Sequence, residues 1–158
     1  MKIPLNISIV LICACLFCSC ASSGPTYQSV KSSLKPQAGK GLALIYYDAG
    51  IYGAAAKWHI YANDQLLTDR FSRGSFYSFQ ANPGDLRLST THNMTWVPVG
   101  VVDQALGTIR KDQPTLRILP NQTYYITMGM GMWREKLFEV PKEKGEADIQ
   151  DCHWINPQ

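Results

Sequence analysis

The sequence predicts an all-β protein, an antiparallel two-sheet β-sandwich with room for a short C-terminal helix. Three observations carry the prediction. From Lys40 onward the chain is a series of short runs rich in Val, Ile, Thr, Tyr, Phe and Trp, the residue types that fit a pleated, half-buried surface. Turn-forming residues punctuate those runs at fairly regular spacing, as in Asn63-Asp64, Asn82-Pro83-Gly84-Asp85 and Pro120-Asn121-Gln122. There is no sustained 3.6-residue apolar period marking a long helix, and about nine short strands close most simply as two stacked sheets.

The first nineteen residues stand apart from that domain. Met1-Lys2 is a short positive start, Ile7 to Phe17 is a nearly continuous apolar run, and small residues follow, the three-part layout of an export signal. The run is shorter than the ~20 apolar residues that span a bilayer. Four of the five cysteines, Cys13, Cys15, Cys18 and Cys20, fall here, inside a hydrophobic segment rather than in a folded loop that could bring thiolates round a zinc ion. Leu16-Phe17-Cys18-Ser19-Cys20 resembles a bacterial lipobox, in which a small residue precedes the cysteine that receives the lipid. Cys20 fits best, because Ser19 is small and the chain turns polar immediately afterwards; Cys15, after Ile12-Cys13-Ala14, is the second candidate. The expected modification is a diacylglycerol on the Cys20 thiol and an acyl chain on its freed amine. At ~0.8 kcal/mol per buried CH₂ these anchor the chain firmly to a membrane. Ala21, where an Asp would signal retention, resembles an outer-membrane address. The expected location is therefore the periplasmic face of the outer membrane of a Gram-negative cell.

Residues 20–40 are rich in Ser, Gly, Pro, Gln and Lys and read as a flexible tether, within which Tyr27 to Leu34 can form a short helix on a membrane or partner. Residues 41–158 are the sandwich domain. Its expected strands are Gly41–Tyr47, Ala56–Ala62, Gln65–Asp69, Ser75–Gln80, Leu86–Thr91, Thr95–Val101, Thr115–Leu119, Tyr124–Met130 and Glu135–Val140. Asn63-Asp64 tolerates positive φ and predicts a tight hairpin, while Pro83-Gly84 presets one turn dihedral and frees the next. Trp58 and Ile60 alternate with Lys57 and His59, and Leu86 and Leu88 with Arg87 and Ser89, so one face of each strand is buried. Leu42 to Tyr46 is apolar on both faces. That suits a central strand covered on both sides, or one whose second face meets the tether or the C-terminal tail. Gly145 to Trp154 reads as either strand or helix, with Ile149 and Cys152 at a three-residue spacing favouring one helical turn packed on the sandwich.

Taken in order, Cys20-Ala21-Ser22-Ser23-Gly24, the strand Leu42–Tyr47, Gly53-Ala54-Ala55, Gly74-Ser75-Phe76-Tyr77, Asn82-Pro83-Gly84-Asp85 and Asn121-Gln122-Thr123-Tyr124-Tyr125 resemble a bacterial lipoprotein family known as domain of unknown function 2846. The resemblance covers most of the chain from Cys20 to about Met130. It implies a transthyretin-like or immunoglobulin-like sandwich and no established activity. Between Thr91 and Thr115 the chain departs from that pattern. Met94 to Gln113 holds an extra apolar run, Trp96 to Val102, and a polar loop, Gly107 to Asp112, that would add a strand or a contact surface for an envelope partner.

Composition and spacing bear on chemistry mainly by exclusion. With 15 Lys+Arg against 12 Asp+Glu and no basic block, there is no electrostatic footprint for nucleic acid. His59, His92 and His153 are far apart in sequence and outside any metal-ligand spacing, and Asp151-Cys152-His153 offers three ligand types that rarely converge when adjacent. No GxSxG elbow surrounds a serine, Ser75 lacks its second flanking glycine, and the carboxylates form no constrained pair. Cys152, the only cysteine beyond the export segment, reads as a buried structural thiol. Met128 to Trp133 reads as a strand end with core-filling methionine rather than a phosphate loop. No catalytic residue, metal ligand or cofactor beyond the Cys20 lipid is expected. The function expected is a lipid-anchored, non-catalytic binding or envelope-assembly module. Its alternative is a small periplasmic hydrolase or metal-dependent enzyme that gathers His92, His153 or an Asp in one pocket.

Overall fold

The structure, a computed structural model, describes residues 24–48, 57–92, 115–130 and 135–155. Its strands are β1 (Gly41–Tyr46), β2 (Trp58–Ala62), β3 (Gln65–Phe71), β4 (Ser75–Ala81), β5 (Gly84–His92), β6 (Thr115–Ile118), β7 (Thr123–Met130), β8 (Glu135–Val140) and β9 (His153–Trp154). Two short helices flank them, α1 (Tyr27–Val30), which runs into a 3₁₀ turn at Lys31–Ser33, and α2 (Lys142–Asp148). Five strands form one sheet in the order β8-β7-β1-β4-β9, and four form a second in the order β3-β2-β5-β6. The all-β two-sheet sandwich with a short C-terminal helix is the fold of the chain. The expected strand Thr95–Val101, the Met94–Gln113 insertion and Gly53-Ala54-Ala55 lie outside the described residues.

Local chemistry explains the turns. Asn63 and Asp64 take φ of 47° and 67°, the pair of left-handed residues a two-residue hairpin needs to match strand twist, and Ala62 pairs with Gln65 across it. The Asn63 carboxamide oxygen accepts the Arg87 backbone N–H at 2.9 Å, and the Asp64 carboxylate meets the Arg87 guanidinium, which ties the turn to β5. The reversals at Asn82–Asp85 and Pro120–Gln122 do different work: each carries the chain from one sheet to the other, β4 to β5 and β6 to β7.

The pairing is antiparallel except in the five-stranded sheet, where β1 runs parallel to β7, with Leu42 opposite Thr123 and Tyr46 opposite Thr127, and β4 runs parallel to β9. The sheet is thus mixed rather than wholly antiparallel. Its strand β1 lies in the middle and is buried at every position. Ala43, Ile45 and Tyr47 point between the sheets, with Trp58, Ile60, Phe71, Leu88, Ile118 and Ile126. Leu42, Leu44 and Tyr46 point the other way into a second apolar cluster with Tyr27, Phe76, Tyr125, Ile149 and Cys152. Both sequence alternatives for the second face of β1 therefore hold together, because the N-terminal segment and the C-terminal tail cover it jointly.

That cover corrects the flexible-tether expectation over residues 24–40. Tyr27 is buried at 2% exposure, its ring edge-on to Phe76 at 5.7 Å, and burying such a side chain gives about 1.5–3 kcal/mol. The polar composition of the segment hid the one aromatic that fastens it. The ambiguous C-terminal stretch resolves into both of its options: α2 ends at Asp148, Ile149 and Cys152 follow fully buried, and the chain then adds β9 to the sheet beside β4.

Candidate functional site

The outer face of the five-stranded sheet is where side chains with chemistry converge. The N-terminal segment crosses it over β4 and α2 lies over β7, and two tyrosines rise from the sheet between them. Tyr125, on β7, donates its hydroxyl to the Glu146 carboxylate at 3.2 Å. Its single proton thus spent, the same oxygen accepts from the Tyr27 hydroxyl at 3.1 Å. Glu146 also holds Lys31 at 3.3 Å, so Tyr27, Tyr125, Glu146 and Lys31 form one chain from strap to sheet to helix. A parallel arrangement sits on β1, where Tyr46 donates to Asp148 at 3.1 Å and Lys144 reaches the same carboxylate oxygen at 2.7 Å.

The electrostatics follow from this geometry. Burial raises the Tyr125 hydroxyl well above its ordinary value, and the charge of the Glu146 carboxylate beside it pushes it further in the same direction. Burial also raises Tyr46, opposed by a Thr127 hydrogen bond and reinforced by the Asp148 charge. For Glu146 partial burial pulls upward, but hydrogen bonds from Lys31 and Tyr125 and the charges of Lys31 and Lys142 prevail, so its carboxyl ends below the usual range. The Lys31–Glu146 pair is half-exposed, at 51% and 30% for the two side chains, and stabilises by about 0.2–1 kcal/mol.

Glycines set the close approaches here. A Cβ on Gly145 would lie 2.3 Å from the Tyr125 Cβ, so the helix rests its backbone directly on that side chain. A Cβ on Gly24 would lie 1.9 Å from the Trp154 carbonyl oxygen. Around Gly24 the first described residues are pinned to the C-terminal strand: the Trp154 N–H donates to the Pro25 carbonyl at 2.8 Å and the Tyr27 N–H to the Cys152 carbonyl at 3.0 Å. His153 Nδ1 lies 2.7 Å from the Gly24 carbonyl, a contact that requires the proton on Nδ1. Trp154 stacks on Phe76 at 6.4 Å and 11°.

The singled-out residues distribute as follows. Cys20 and Cys15 lie outside the described residues. His59 is half-buried on β2 beside Tyr61, with ring centroids 6.4 Å apart, whereas His153 belongs to the other sheet. His92 closes β5 opposite Trp58 in the ladder. Asp151 is exposed and Cys152 buried, so that triplet does not point at one centre, and no group of three His, Cys, Asp or Glu able to hold a metal occurs among the described residues. The Cys152 thiol is pushed up to about 12, by burial first and then by Asp48, Asp151 and Asp148; its Sγ lies 3.7 Å from the Tyr47 carbonyl. Ser75 is fully buried and its hydroxyl donates to the Ser72 carbonyl at 2.5 Å, which makes it a turn staple. Met128 fills the inter-sheet core. Sequence reasoning missed Tyr27, Tyr46, Tyr125 and Glu146 as a set, because residues 98 and 21 positions apart meet only through the parallel β1–β7 pairing and the helix that follows β8.

Compared with protein-family models, with curated proteins and with solved structures, the chain finds no match in any of the three.

Proposed function

We propose that this protein is a lipid-anchored bacterial envelope lipoprotein, a non-catalytic binding or envelope-assembly module held through Cys20 at the periplasmic face of the outer membrane. The observation that carries it is the segment Leu16-Phe17-Cys18-Ser19-Cys20, with its small residue before the cysteine, closing an apolar run too short to span a bilayer. On the outer face Tyr27, Tyr46, Tyr125, Glu146 and Asp148 bond to one another and to Lys31 and Lys144 across strap, sheet and helix, which supports a scaffold reading. The resemblance to the domain of unknown function 2846 lipoproteins belongs to the same proposal, as does a contact role for Met94–Gln113 toward an envelope protein.

Replacing Cys20 by Ala tests it. The substituted chain leaves the membrane fraction and appears in the soluble fraction, whereas persistent membrane association after detergent-free washing refutes the anchor.

A further inference from the structure

Because residues from Gly24 onward are part of the sandwich, the length of chain between a lipid on Cys20 and the folded domain is short. Cys20 and Gly24 are four Cα–Cα steps apart, which span at most about 14 Å when fully extended. Gly24 itself has no freedom to lengthen that leash. Its carbonyl is held by His153, the next residue is bonded to Trp154, Thr26 bridges to His153, and a Cβ at position 24 would overlap the Trp154 carbonyl. The attachment point is at one edge of the five-stranded sheet, beside β9; β8 forms the opposite edge, four strand spacings or about 19 Å away.

Charge divides the outer face of this sheet along the same direction. The strap, residues 24–40, carries Lys31, Lys35 and Lys40 and no Asp or Glu, and Lys31 and Lys35 are exposed. The helix and the residues after it, 142–151, carry Glu143, Glu146, Asp148 and Asp151 against Lys142 and Lys144. Lys31 and Lys35 lie on the anchored side, where the Lys35 carbonyl accepts from Gln80 of β4, and Lys40 leads into β1; α2, with Glu143, Glu146 and Asp148 against Lys142 and Lys144, lies over β7, toward β8, while Asp151 comes back beside β9. Lys31 and Glu146 meet at the seam.

We propose that the β9 edge and the basic strap rest on a bilayer surface of anionic headgroups, with the acidic helix α2 and strand β8 turned away. This rests on the lipid anchor at Cys20. The leash keeps the β9 edge within reach of the headgroups in every orientation, and each lysine close to an anionic surface adds about 1 kcal/mol to the preference for the strap facing it. An acyl anchor combined with a basic patch is a two-signal attachment, and it fixes orientation as well as affinity.

The test uses the lipoprotein purified from membranes with a single fluorophore at Ser32→Cys in the strap or at Glu139→Cys on β8. Both sites are exposed, and Cys152, at 0% exposure, stays unlabelled. The probe is a vesicle containing phosphatidylglycerol and a nitroxide-headgroup lipid. The expected result is quenching at position 32 at least about threefold greater than at position 139, given the three strand spacings, about 14 Å, between β4 under the strap and β8. The combined Lys35→Gln and Lys40→Gln change brings that ratio toward one. Equal or reversed quenching in a chain whose intact mass includes the lipid overturns the orientation and leaves the anchor standing. A ratio unmoved by the lysine changes overturns the headgroup contact. A chain recovered from membranes without lipid overturns the anchor and the orientation with it.

Discussion

Replacing Gly145 by Ala tests whether α2 is held by direct backbone contact with the sheet. Position 145 is the fourth residue of α2, and in an unpacked helix the change is stabilising by about 0.8–1 kcal/mol, because alanine loses less backbone entropy. Here the new methyl would lie 2.3, 2.4 and 2.6 Å from Cβ, Cγ and Cδ1 of Tyr125. The Tyr125 Cβ is fixed by the backbone of β7 and cannot rotate out of the way, and Cγ and Cδ1 belong to a ring packed in the outer cluster. Either the helix shifts, at the ~1–3 kcal/mol typical of overpacking, or it lifts and exposes Ile149, now fully buried, at about 1.5–3 kcal/mol. After the propensity gain the net change is about 0–2 kcal/mol of lost stability, or a melting temperature lower by up to roughly 8 °C for a chain of this size. Ala147, two residues on and exposed, is the control: Ala147→Gly loses about 1 kcal/mol by propensity alone. Thermal and urea unfolding followed by circular dichroism reads both. A Gly145→Ala protein stabilised by the full propensity gain of about 0.8–1 kcal/mol refutes the packing described for α2.

Four further outcomes follow from the same face. Tyr125→Phe leaves the buried Tyr27 hydroxyl without its acceptor and lowers stability by about 1–3 kcal/mol, measured by urea unfolding, whereas a loss below ~0.5 kcal/mol places that hydroxyl in water. Gly24→Ala drives the first strap residues off β9, so amide exchange at Trp154 and Tyr27 accelerates while the amides of β2 and β5 keep their protection. Cys152, fully buried and with its thiol pushed up to about 12, is alkylated at neutral pH only as fast as the domain unfolds, which mass spectrometry of a chain starting at Ala21 reads directly. Stability against pH falls at both ends. Glu146 is held below its ordinary 4.5, so its contribution is complete above that value and is lost as pH drops through the folded-state value. Tyr46 and Tyr125 are held above 10.0, so on the alkaline side unfolded tyrosines ionise first and stability declines as pH rises past that value.

Much of the sandwich was legible because its signals are local. The φ values of Asn63 and Asp64, the alternation of Trp58 and Ile60 against Lys57 and His59, and the two-faced burial of Leu42 to Tyr46 each depend on neighbours within a few residues, and each is seen in the structure. What was hidden depends on partners distant in the chain. The parallel registration of β1 with β7 joins Leu42 to Thr123, and nothing in either run distinguishes a parallel from an antiparallel neighbour. The strap composition of Ser, Gln, Lys and Pro predicted mobility, since such a stretch cannot order itself; it is ordered by Tyr27 entering a cluster with residues as far apart in the chain as Leu42, Phe76, Tyr125 and Cys152. The hydroxyl–carboxylate chain from Tyr27 to Glu146 was invisible for the same reason. Gly145 carried the one available hint, a glycine inside a helix-length polar run, where a close packing contact is a standard reason for its presence.

Intact-mass analysis of the protein purified from its native membranes bears most directly on its nature. A mass equal to residues 20–158 plus a diacylglycerol and an acyl chain is the predicted result and makes the protein a tethered envelope module with its sandwich held close to the bilayer. An unlipidated mass, or a chain starting elsewhere than Cys20, contradicts the anchor and everything built on it.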